Sequence, residues 1–148
     1  MDNIRRARES DLGRIAEMEV FCYRLNFYPI FREDAFYFGE WQVASRIQAH
    51  RAHLHQLLVY DDGVVKGFAH VAEGEIRKLF VEPVLQGGGI GAKLLQYAVR
   101  QEGARFLWAL EQNEKAIAFY RRHGFRMTGD RKTEEGTDAF LIRMEISG

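Results

Sequence analysis

Apolar and polar residues follow two different periods along the chain, and these periods predict both helices and strands. Between residues 9 and 25, apolar residues recur at helical spacing on a face that carries Leu12, Ile15, Ala16, Cys22 and Leu25. Ser10 or Asp11 is expected to cap this helix at its start. A second helix is predicted over about residues 40–53.

Shorter apolar runs predict the strands of a sheet. The runs 54–60 and 64–72 flank an Asp-Gly step, which is typical of a hairpin, and 75–81 adds a third strand. The remaining strands are predicted at 3–8, 104–110, 125–130 and 138–146, and two further helices at 91–103 and 113–124. The order β-α-α-β-β-β-α-β-α-β-β predicts one α/β domain over residues 1–148, with a mixed sheet.

Composition narrows the class of protein. Lys plus Arg (21) balances Asp plus Glu (21), whereas a duplex-binding protein would show a basic excess, so no nucleic-acid partner is expected. Cys22 is the only cysteine, which excludes an internal disulfide and a multi-cysteine zinc site, and it is expected to be a buried thiol. No metal site is expected. The start lacks the apolar core of a signal peptide, and no apolar run approaches the ~20 residues that span a bilayer. We therefore expect a cytoplasmic protein without a membrane partner.

Four glycines stand between the third strand of the meander and the next helix, at Gly87, Gly88, Gly89 and Gly91. The start of a helix leaves backbone N–H groups unpaired and carries partial positive charge. Backbone without side chains lets a phosphate approach those groups directly. A mobile turn or close helix–sheet packing is the alternative, but four glycines at this place favour anion binding.

Two common phosphate-binding templates fit the glycines poorly. Lys93 does not directly follow a glycine as the P-loop requires. The dinucleotide pattern G-x-G-x-x-G/A matches Gly87, Gly89 and Ala92, and Glu111 follows about 20 residues later. However, too little chain follows for a dinucleotide fold, and a meander precedes the glycines. A small nucleotide-binding protein that prefers NAD stays open as an alternative.

A third template accounts for more of the chain. Gln86-x-x-Gly89-x-Gly91 resembles the pyrophosphate-binding motif Q/R-x-x-G-x-G/A of the GCN5-related N-acetyltransferase (GNAT) superfamily. The segment 113–125 resembles the family's N-x-x-A-x-x-F-Y-x-x-x-G-F, with matches at Asn113, Ala116, Phe119, Tyr120, Gly124 and Phe125. Both motifs occur in the family's order and spacing. The resemblance implies the GNAT fold, a mixed twisted central sheet flanked by about four helices.

The resemblance also implies a cofactor and its binding residues. GNAT enzymes move an acyl group, usually acetyl, from coenzyme A to an amine. The pyrophosphate of acetyl-CoA would be cradled by Gln86, Gly87, Gly88, Gly89, Ile90, Gly91 and Ala92. The pantetheine arm and the thioester would meet Leu79, Phe80, Val81, Asn113 and Tyr120. The 3′-phosphate has Lys93, Arg121 and Arg122 as candidates, although each could equally be a solvated helix residue.

Tyr120 would stand near the sulfur as general acid. A phenol with a pKa near ~10 stays protonated at neutral pH and can protonate a leaving thiolate. Packing in the core is the alternative role for this side chain. With no nucleophile evident, the acceptor amine is expected to attack directly in a ternary complex. A non-catalytic acyl-CoA sensor on the same fold is a further alternative.

Glu75 is the first candidate for the general base. An aliphatic amine has a pKa near ~10.4 and must lose a proton before it attacks. Glu75 lies in a register at which histone-type members of the family carry a catalytic glutamate, and alternation places it on the strand face of Leu79 and Val81. It could equally be a polar residue at a strand start. His70 and Glu111 are weaker candidates, and a water chain would need no base.

The acceptor site is expected beside an aromatic segment. Residues 21–41 hold nine of the chain's nineteen aromatic side chains, and in GNAT folds the segment between the first two helices walls the acceptor site. Tyr23, Tyr28 and Phe31 are the predicted acceptor contacts, although core packing or a dimer contact would also use aromatics. The expected acceptor is a primary amine of a small molecule or peptide, and a homodimer stays open.

Overall fold

One seven-stranded sheet organises the protein, and the computed structural model describes residues 3–147 of it. The strands are β1 (Ile4–Arg6), β2 (Leu57–Asp61), β3 (Val65–Ala72), β4 (Glu75–Val81), β5 (Phe106–Leu110), β6 (Phe125–Thr133) and β7 (Phe140–Ile146). Their spatial order is β1-β2-β3-β4-β5-β7-β6. Within residues 3–147, β4 and β5 are the only parallel neighbours, and every other neighbouring pair is antiparallel. The predicted mixed sheet is confirmed.

Four longer helices and one short helix flank the sheet. They are α1 (Leu12–Asn26), α2 (Tyr28–Phe31), α3 (Val43–Arg51), α4 (Ile90–Glu102) and α5 (Glu114–Arg122). The short α2 and a π-helical turn, Ala35–Glu40, occupy the aromatic segment, so the second predicted helix is shorter than 40–53. Pro29 fits the first turn of α2, where no intrahelical N–H bond is lost. Within residues 3–147, no helix is both long and apolar enough to cross a bilayer.

Two apolar clusters lie on opposite faces of the sheet. Leu57 and Val59 of β2 point into the cluster that α1 and α3 cover, whereas Leu58 points into the cluster under α4 and α5. Successive residues of a strand face opposite sides of the sheet, so a strand buried on both faces contributes to both clusters. Helices therefore pack against both faces of the sheet.

Helix α1 departs from its predicted pattern at three residues. Leu25 was expected on the buried face but is 53% exposed, whereas the charged Glu19 is fully buried. Asp11 precedes the helix, but its side chain makes no capping bond. Its carboxylate instead accepts hydrogen bonds from the Arg5 guanidinium at 2.8 Å and the Arg8 backbone N–H at 2.7 Å. Cys22 is buried, as predicted.

Strand β4 contains a bulge and leaves its parallel neighbour early. Lys78 pairs with His70 but Ile76 pairs with Val71, so Arg77 is an extra residue that β3 does not match. Strands β4 and β5 pair only at Glu75–Phe106 and Ile76–Leu107. Beyond these two pairs the strands part, which opens a gap in the middle of the sheet.

Candidate functional site

Two cavities open onto the gap between β4 and β5. The loop cavity, of about 490 Å³, reaches from the start of α4 to α5. The aromatic cavity, of about 830 Å³, is bounded by α1, the segment between α1 and α3, and strands β4 to β7. The residues that line both are Leu79, Phe80, Asn113, Ala116 and Tyr120. The same gap is therefore accessible from two sides.

The glycine segment forms the wall of the loop cavity. Its lining includes every residue of the predicted pyrophosphate cradle except Gly88, namely Gln86, Gly87, Gly89, Ile90, Gly91 and Ala92. Gly87 and Gly89 have φ of 92° and 90°, a left-handed conformation that side chains disfavour. Gly89 precedes α4 without any side-chain cap, so no side chain bonds to the first N–H groups of the helix, and its first residues, Ile90, Gly91 and Ala92, line the cavity. This geometry suits an anion.

Side-chain contacts fix the glycine segment to the end of β4. The Gln86 amide donates to the Val81 carbonyl at 3.3 Å, and the Cys22 thiol lies 3.5 Å from the same oxygen. Val81 therefore anchors both α1 and the loop. Leu79, Phe80 and Val81, the residues expected to meet the pantetheine arm, line the loop cavity beside this anchor.

Helix α5 supplies the residues that close the gap. Asn113 caps the helix, because its side-chain oxygen accepts from the Ala116 N–H at 3.2 Å. The Tyr120 ring packs against Phe119 and Phe125, with centroid distances of 5.3 and 5.8 Å. Burial raises the pKa of the Tyr120 hydroxyl well above its usual value. The phenol therefore stays protonated at neutral pH.

The cations of the loop cavity differ in part from the predicted set. Arg122 lines it, whereas Arg121 does not. Lys93 lies elsewhere, with its ammonium 5.8 Å from the centre of the Tyr60 ring. Lys115 and His123 also line the cavity. Sequence reasoning missed these two because which face of α5 meets the cavity depends on how the helix packs.

Aromatic side chains wall the other cavity. Its aromatic lining comprises Tyr23, Phe27, Phe31, Phe36, Tyr37, Trp41, Phe80, Trp108 and Tyr120. Tyr23 stacks on Trp41 with ring centroids 4.4 Å apart. The predicted acceptor contacts Tyr23 and Phe31 are in this wall, but Tyr28 is not. Its ring packs 5.1 Å from that of Phe38, and its hydroxyl donates to Asp34 at 2.5 Å.

Glu75 is the one of the three proposed bases that lines a cavity. It borders the aromatic cavity, and its carboxylate lies 3.6 Å from the Arg77 guanidinium. The bulge at Arg77 breaks the strand alternation, so Glu75 shares a face with Lys78 and Phe80. The expectation that it shares the face of Leu79 and Val81 is therefore wrong, because period-two alternation fails across a bulge.

The other two candidate bases lie outside both cavities. The His70 ring bonds to Gln56 at 2.7 Å, and burial, with the charge of His53 next, lowers its pKa to about 4. Glu111 is exposed and pairs with Arg131 at 3.1 Å. Neither side chain reaches the gap between β4 and β5.

A buried ionic cluster, which the sequence pattern does not predict, lies behind the aromatic wall. The Glu19 carboxylate bonds to Arg46 Nε at 2.7 Å, to His50 Nε2 at 2.8 Å and to Lys78 Nζ. Burial alone would raise the pKa of Glu19, but the hydrogen bond to His50 and the charge of Lys78 outweigh it and lower the pKa to about 2. The Lys78 ammonium also donates to the Tyr23 hydroxyl at 3.1 Å.

Among residues 3–147, no three or more His, Cys, Asp or Glu side chains are grouped so as to hold a metal ion.

Known proteins that this chain resembles are named as acetyltransferases. A family model described as "Acetyltransferase (GNAT) domain" matches residues 52–127. The chain is 30% identical over 69 residues to the peptidyl-lysine N-acetyltransferase YjaB of Escherichia coli, a match that covers 47% of each chain. It is 29% identical over 106 residues to the N-alpha-acetyltransferase RimI of Mycobacterium tuberculosis, covering 63% of this chain and 67% of that protein. The match with YjaB thus spans about half of that relative's length.

Solved structures share the fold over nearly the whole chain. The solution structure of apo YjaB from Escherichia coli has a TM-score of 0.75 at 24% identity, covering 98% of this chain and 97% of that one. The PaiA N-acetyltransferase of Thermoplasma acidophilum in complex with coenzyme A has a TM-score of 0.63 at 19% identity, covering 96% and 97%. The fold that the sequence motifs implied is confirmed.

Proposed function

Because this chain belongs to the acetyltransferase (GNAT) family, we propose that it transfers an acetyl group from acetyl-CoA to an amine. The observation that carries the proposal is the meeting of two cavities at Tyr120. A cofactor arm entering from the loop cavity and an acceptor entering from the aromatic cavity would meet in the gap between β4 and β5. A direct attack in a ternary complex needs this arrangement.

The charges of the loop cavity and the free edge of β4 support acetyl-CoA as the cofactor. The uncapped start of α4 and the left-handed Gly87 and Gly89 offer backbone N–H groups to a pyrophosphate. Beyond its two pairs with β4, β5 leaves the edge of β4 free, so an extended arm can run beside Leu79, Phe80 and Val81. Arg122 and Lys115 supply positive charge at the same cavity.

The residues at the gap can divide the chemistry between them. Acetyl-CoA supplies an activated thioester. Backbone N–H groups of β4 at the gap stabilise the negative charge that develops on the carbonyl oxygen. Tyr120, protonated in its buried setting, donates to the departing sulfur. Glu75 accepts the proton of the acceptor amine, directly or through water.

A peptide or protein amine is the proposed acceptor. The relatives YjaB and RimI are named for peptidyl-lysine and N-alpha acetylation. The aromatic cavity has a volume of about 830 Å³ and lies between two loops, the segment between α1 and α3 and the β6–β7 turn, where an extended peptide could enter. A non-catalytic sensor of acyl-CoA would have no use for this second cavity. The cytoplasmic location and a homodimer remain predictions from the sequence.

Calorimetric titration with acetyl-CoA, coenzyme A and NAD tests the cofactor. Wild-type protein should bind the first two and not NAD, and Gly89→Glu should abolish binding, because it places a carboxylate at the start of α4. Gly63→Glu is the matched control, since Gly63 also has a positive φ, of 120°, and lies in the β2–β3 turn with open space around it. Preference for NAD would reject the proposal. Release of free coenzyme A thiol with peptide amines then tests the transfer.

A further inference from the structure

Two loops that are far apart in the sequence each bring a carboxylate to the lining of the aromatic cavity. Glu33 follows the short helix α2, and Glu134 follows strand β6 in the β6–β7 turn. Burial above all, together with these two charges, raises the pKa of the Tyr37 hydroxyl to about 12. Both loops therefore lie close enough to Tyr37 for their carboxylates to act on one hydroxyl.

The charges that line the cavity leave this region negative. The lining carries four carboxylates and three cations, namely Glu33, Glu75, Glu134, Glu135, Arg77, Lys78 and Lys132. Glu75 is paired with Arg77 at 3.6 Å, and Lys78 is ion-paired with the buried Glu19. Among the described lining residues, Lys132 is then the one cation that no carboxylate pairs with, and three carboxylates are left without an ion pair.

The Tyr37 hydroxyl is a polar group without a partner in the part of the chain that the structure describes. Its side chain is 5% exposed and lines the aromatic cavity. Within residues 3–147 no group hydrogen-bonds to the hydroxyl, yet its oxygen is not fully shielded from solvent. Arg24 donates to the Tyr37 carbonyl oxygen at 3.1 Å and does not line the cavity. Because buried polar groups normally have a hydrogen-bond partner, this hydroxyl points to a guest in the cavity.

Carboxylates beside a phenolic oxygen suit a cationic guest. The N–H groups of an ammonium or a guanidinium can donate to a carboxylate and to the lone pairs of a tyrosine hydroxyl. The rings of Phe31 and Phe36 border the same cavity, and aromatic faces attract cations. An anionic guest would meet like charges at Glu33 and Glu134.

The cation that fits here is not the amine that reacts. Neighbouring carboxylates favour the protonated form of an amine, whereas attack on a thioester needs the neutral form. Glu33, Tyr37 and Glu134 line the aromatic cavity alone, while Tyr120 lies where the two cavities meet. An acceptor can therefore place one amine in the gap and a second, permanently charged group beside Tyr37.

We propose that Glu33, Glu134 and the Tyr37 hydroxyl form a subsite for a second positive charge of the acceptor, which selects peptides with an arginine or lysine side chain close to the reacting amine. This inference rests on the proposed acetyl transfer and names the class of peptide that the same site takes. A free diamine carries the same two charges, so the test includes one.

Peptides that differ by one charge provide the test. Each has a single reacting amine, either a free N-terminus or one lysine behind a blocked N-terminus, and carries arginine or citrulline a few residues away. Citrulline keeps the shape of arginine without its charge. Release of coenzyme A thiol gives kcat and KM for the wild type, Tyr37→Phe and the double variant Glu33→Gln with Glu134→Gln. A straight-chain diamine and the monoamine of the same length form the small-molecule pair.

Glu40→Gln and Asp138→Asn are the matched controls. They remove a negative charge from the same two segments, but both residues are exposed and lie outside the cavity lining. Folding of every variant is checked by thermal melting and by acetyl-CoA binding. If the double variant does not fold, the two single substitutions are measured in its place.

The wild type should use the arginine peptide about tenfold better in kcat/KM than the citrulline peptide, as expected for charge-assisted hydrogen bonds. The difference should lie mainly in KM, because the subsite is separate from the gap. The double variant should reduce the ratio about fivefold or more and Tyr37→Phe about twofold, whereas the two controls should keep it. Added salt should also reduce the ratio, since it screens the charges.

A ratio near one in the wild type, or a ratio that the variants leave unchanged, would overturn the inference while leaving acetyl transfer intact. A diamine that is acetylated better than every peptide would overturn the assignment to a peptide. Transfer to none of these acceptors would reject the inference together with the peptide acceptor. Binding of acetyl-CoA would then still report separately on the cofactor.

Discussion

Glu19 of α1 and Lys78 of β4 are joined by a hydrogen-bonded ion pair whose carboxylate is fully shielded from solvent. The pair ties the first helix to the strand that borders both cavities. Arg46 and His50 complete the carboxylate's hydrogen bonds from α3. The cluster therefore couples the packing of two helices to the position of the cavity wall.

Glu19→Gln should destabilise the fold strongly. The substitution removes the negative charge but leaves two cations around a buried site, and breaking such a cluster typically costs about 3–5 kcal/mol. Urea unfolding measures the change in the free energy of unfolding. Glu17→Gln is the control, because Glu17 pairs with Arg14 on the surface and is 58% exposed, and exposed pairs contribute about 0–1 kcal/mol. Equal stability of both variants would contradict the role of the cluster.

Acid should weaken the protein through the same carboxylate. The pKa of Glu19 is lowered from 4.5 to about 2 in the folded state, so its stabilising contribution is complete above about pH 4.5 and is lost as the pH falls towards 2. The free energy of unfolding of the wild type should therefore fall towards that of Glu19→Gln across this range. A difference between the two proteins that stays constant from pH 7 to pH 2 would show that Glu19 does not titrate in this window.

Gly67→Ala should disturb the start of α4. An added Cβ would lie 3.0 Å from Leu94 Cδ1 and 3.2 Å from Ile90 Cγ2, and overpacking of this kind costs about 1–3 kcal/mol. Because Ile90 begins the helix whose N–H groups face the loop cavity, acetyl-CoA affinity should fall as well. Gly13→Ala in α1 meets nothing within 4 Å and should instead stabilise by about 0.5–1 kcal/mol. Calorimetry and thermal unfolding of the two variants give the comparison.

Tyr120→Phe should lower turnover without loosening the cofactor. Removal of the hydroxyl takes away the proton donor, and such donors typically contribute about 10²–10⁴-fold to the rate. The ring contacts with Phe119 and Phe125 remain, so affinity for acetyl-CoA should be nearly unchanged. Tyr97→Phe on α4 is the control outside both cavities. Full turnover of Tyr120→Phe would leave Tyr120 with a packing role only.

Glu75→Gln should reduce kcat most at neutral pH. Without a base, the acceptor amine depends on solvent to lose its proton, and a rising pH should restore the rate as free amine accumulates. Glu73→Gln, in the exposed β3–β4 turn, should behave as the wild type. An unchanged pH profile for Glu75→Gln would assign deprotonation to water.

The fold and the residues of the loop cavity could be predicted because the sequence patterns that indicate them are local. Gly87 and Gly89 adopt a left-handed backbone conformation that few other residues accept. Asn113 caps the helix that follows it. In both places the residue type itself indicates the local conformation. The Asp-Gly turn and the alternation in β2 and β3 likewise depend only on short stretches. Where periodicity breaks, prediction failed, as at Glu75 beyond the bulge.

The acceptor side depends on contacts between residues far apart in the chain. The helical pattern of α1 gives no sign that Glu19 is buried and Leu25 exposed, because only packing against α3 and β4 brings Arg46, His50 and Lys78 around one carboxylate. The sequence likewise gives no sign that Phe31 lines the aromatic cavity whereas Tyr28 does not. The element order, the glycine-rich loop before α4 and the position of Tyr120 on α5 could be read from the sequence alone, because they follow from local backbone conformation and spacing. The charge and shape of the aromatic cavity depend on packing between distant segments, because they arise only where α1, α3, β4 and the β6–β7 turn meet.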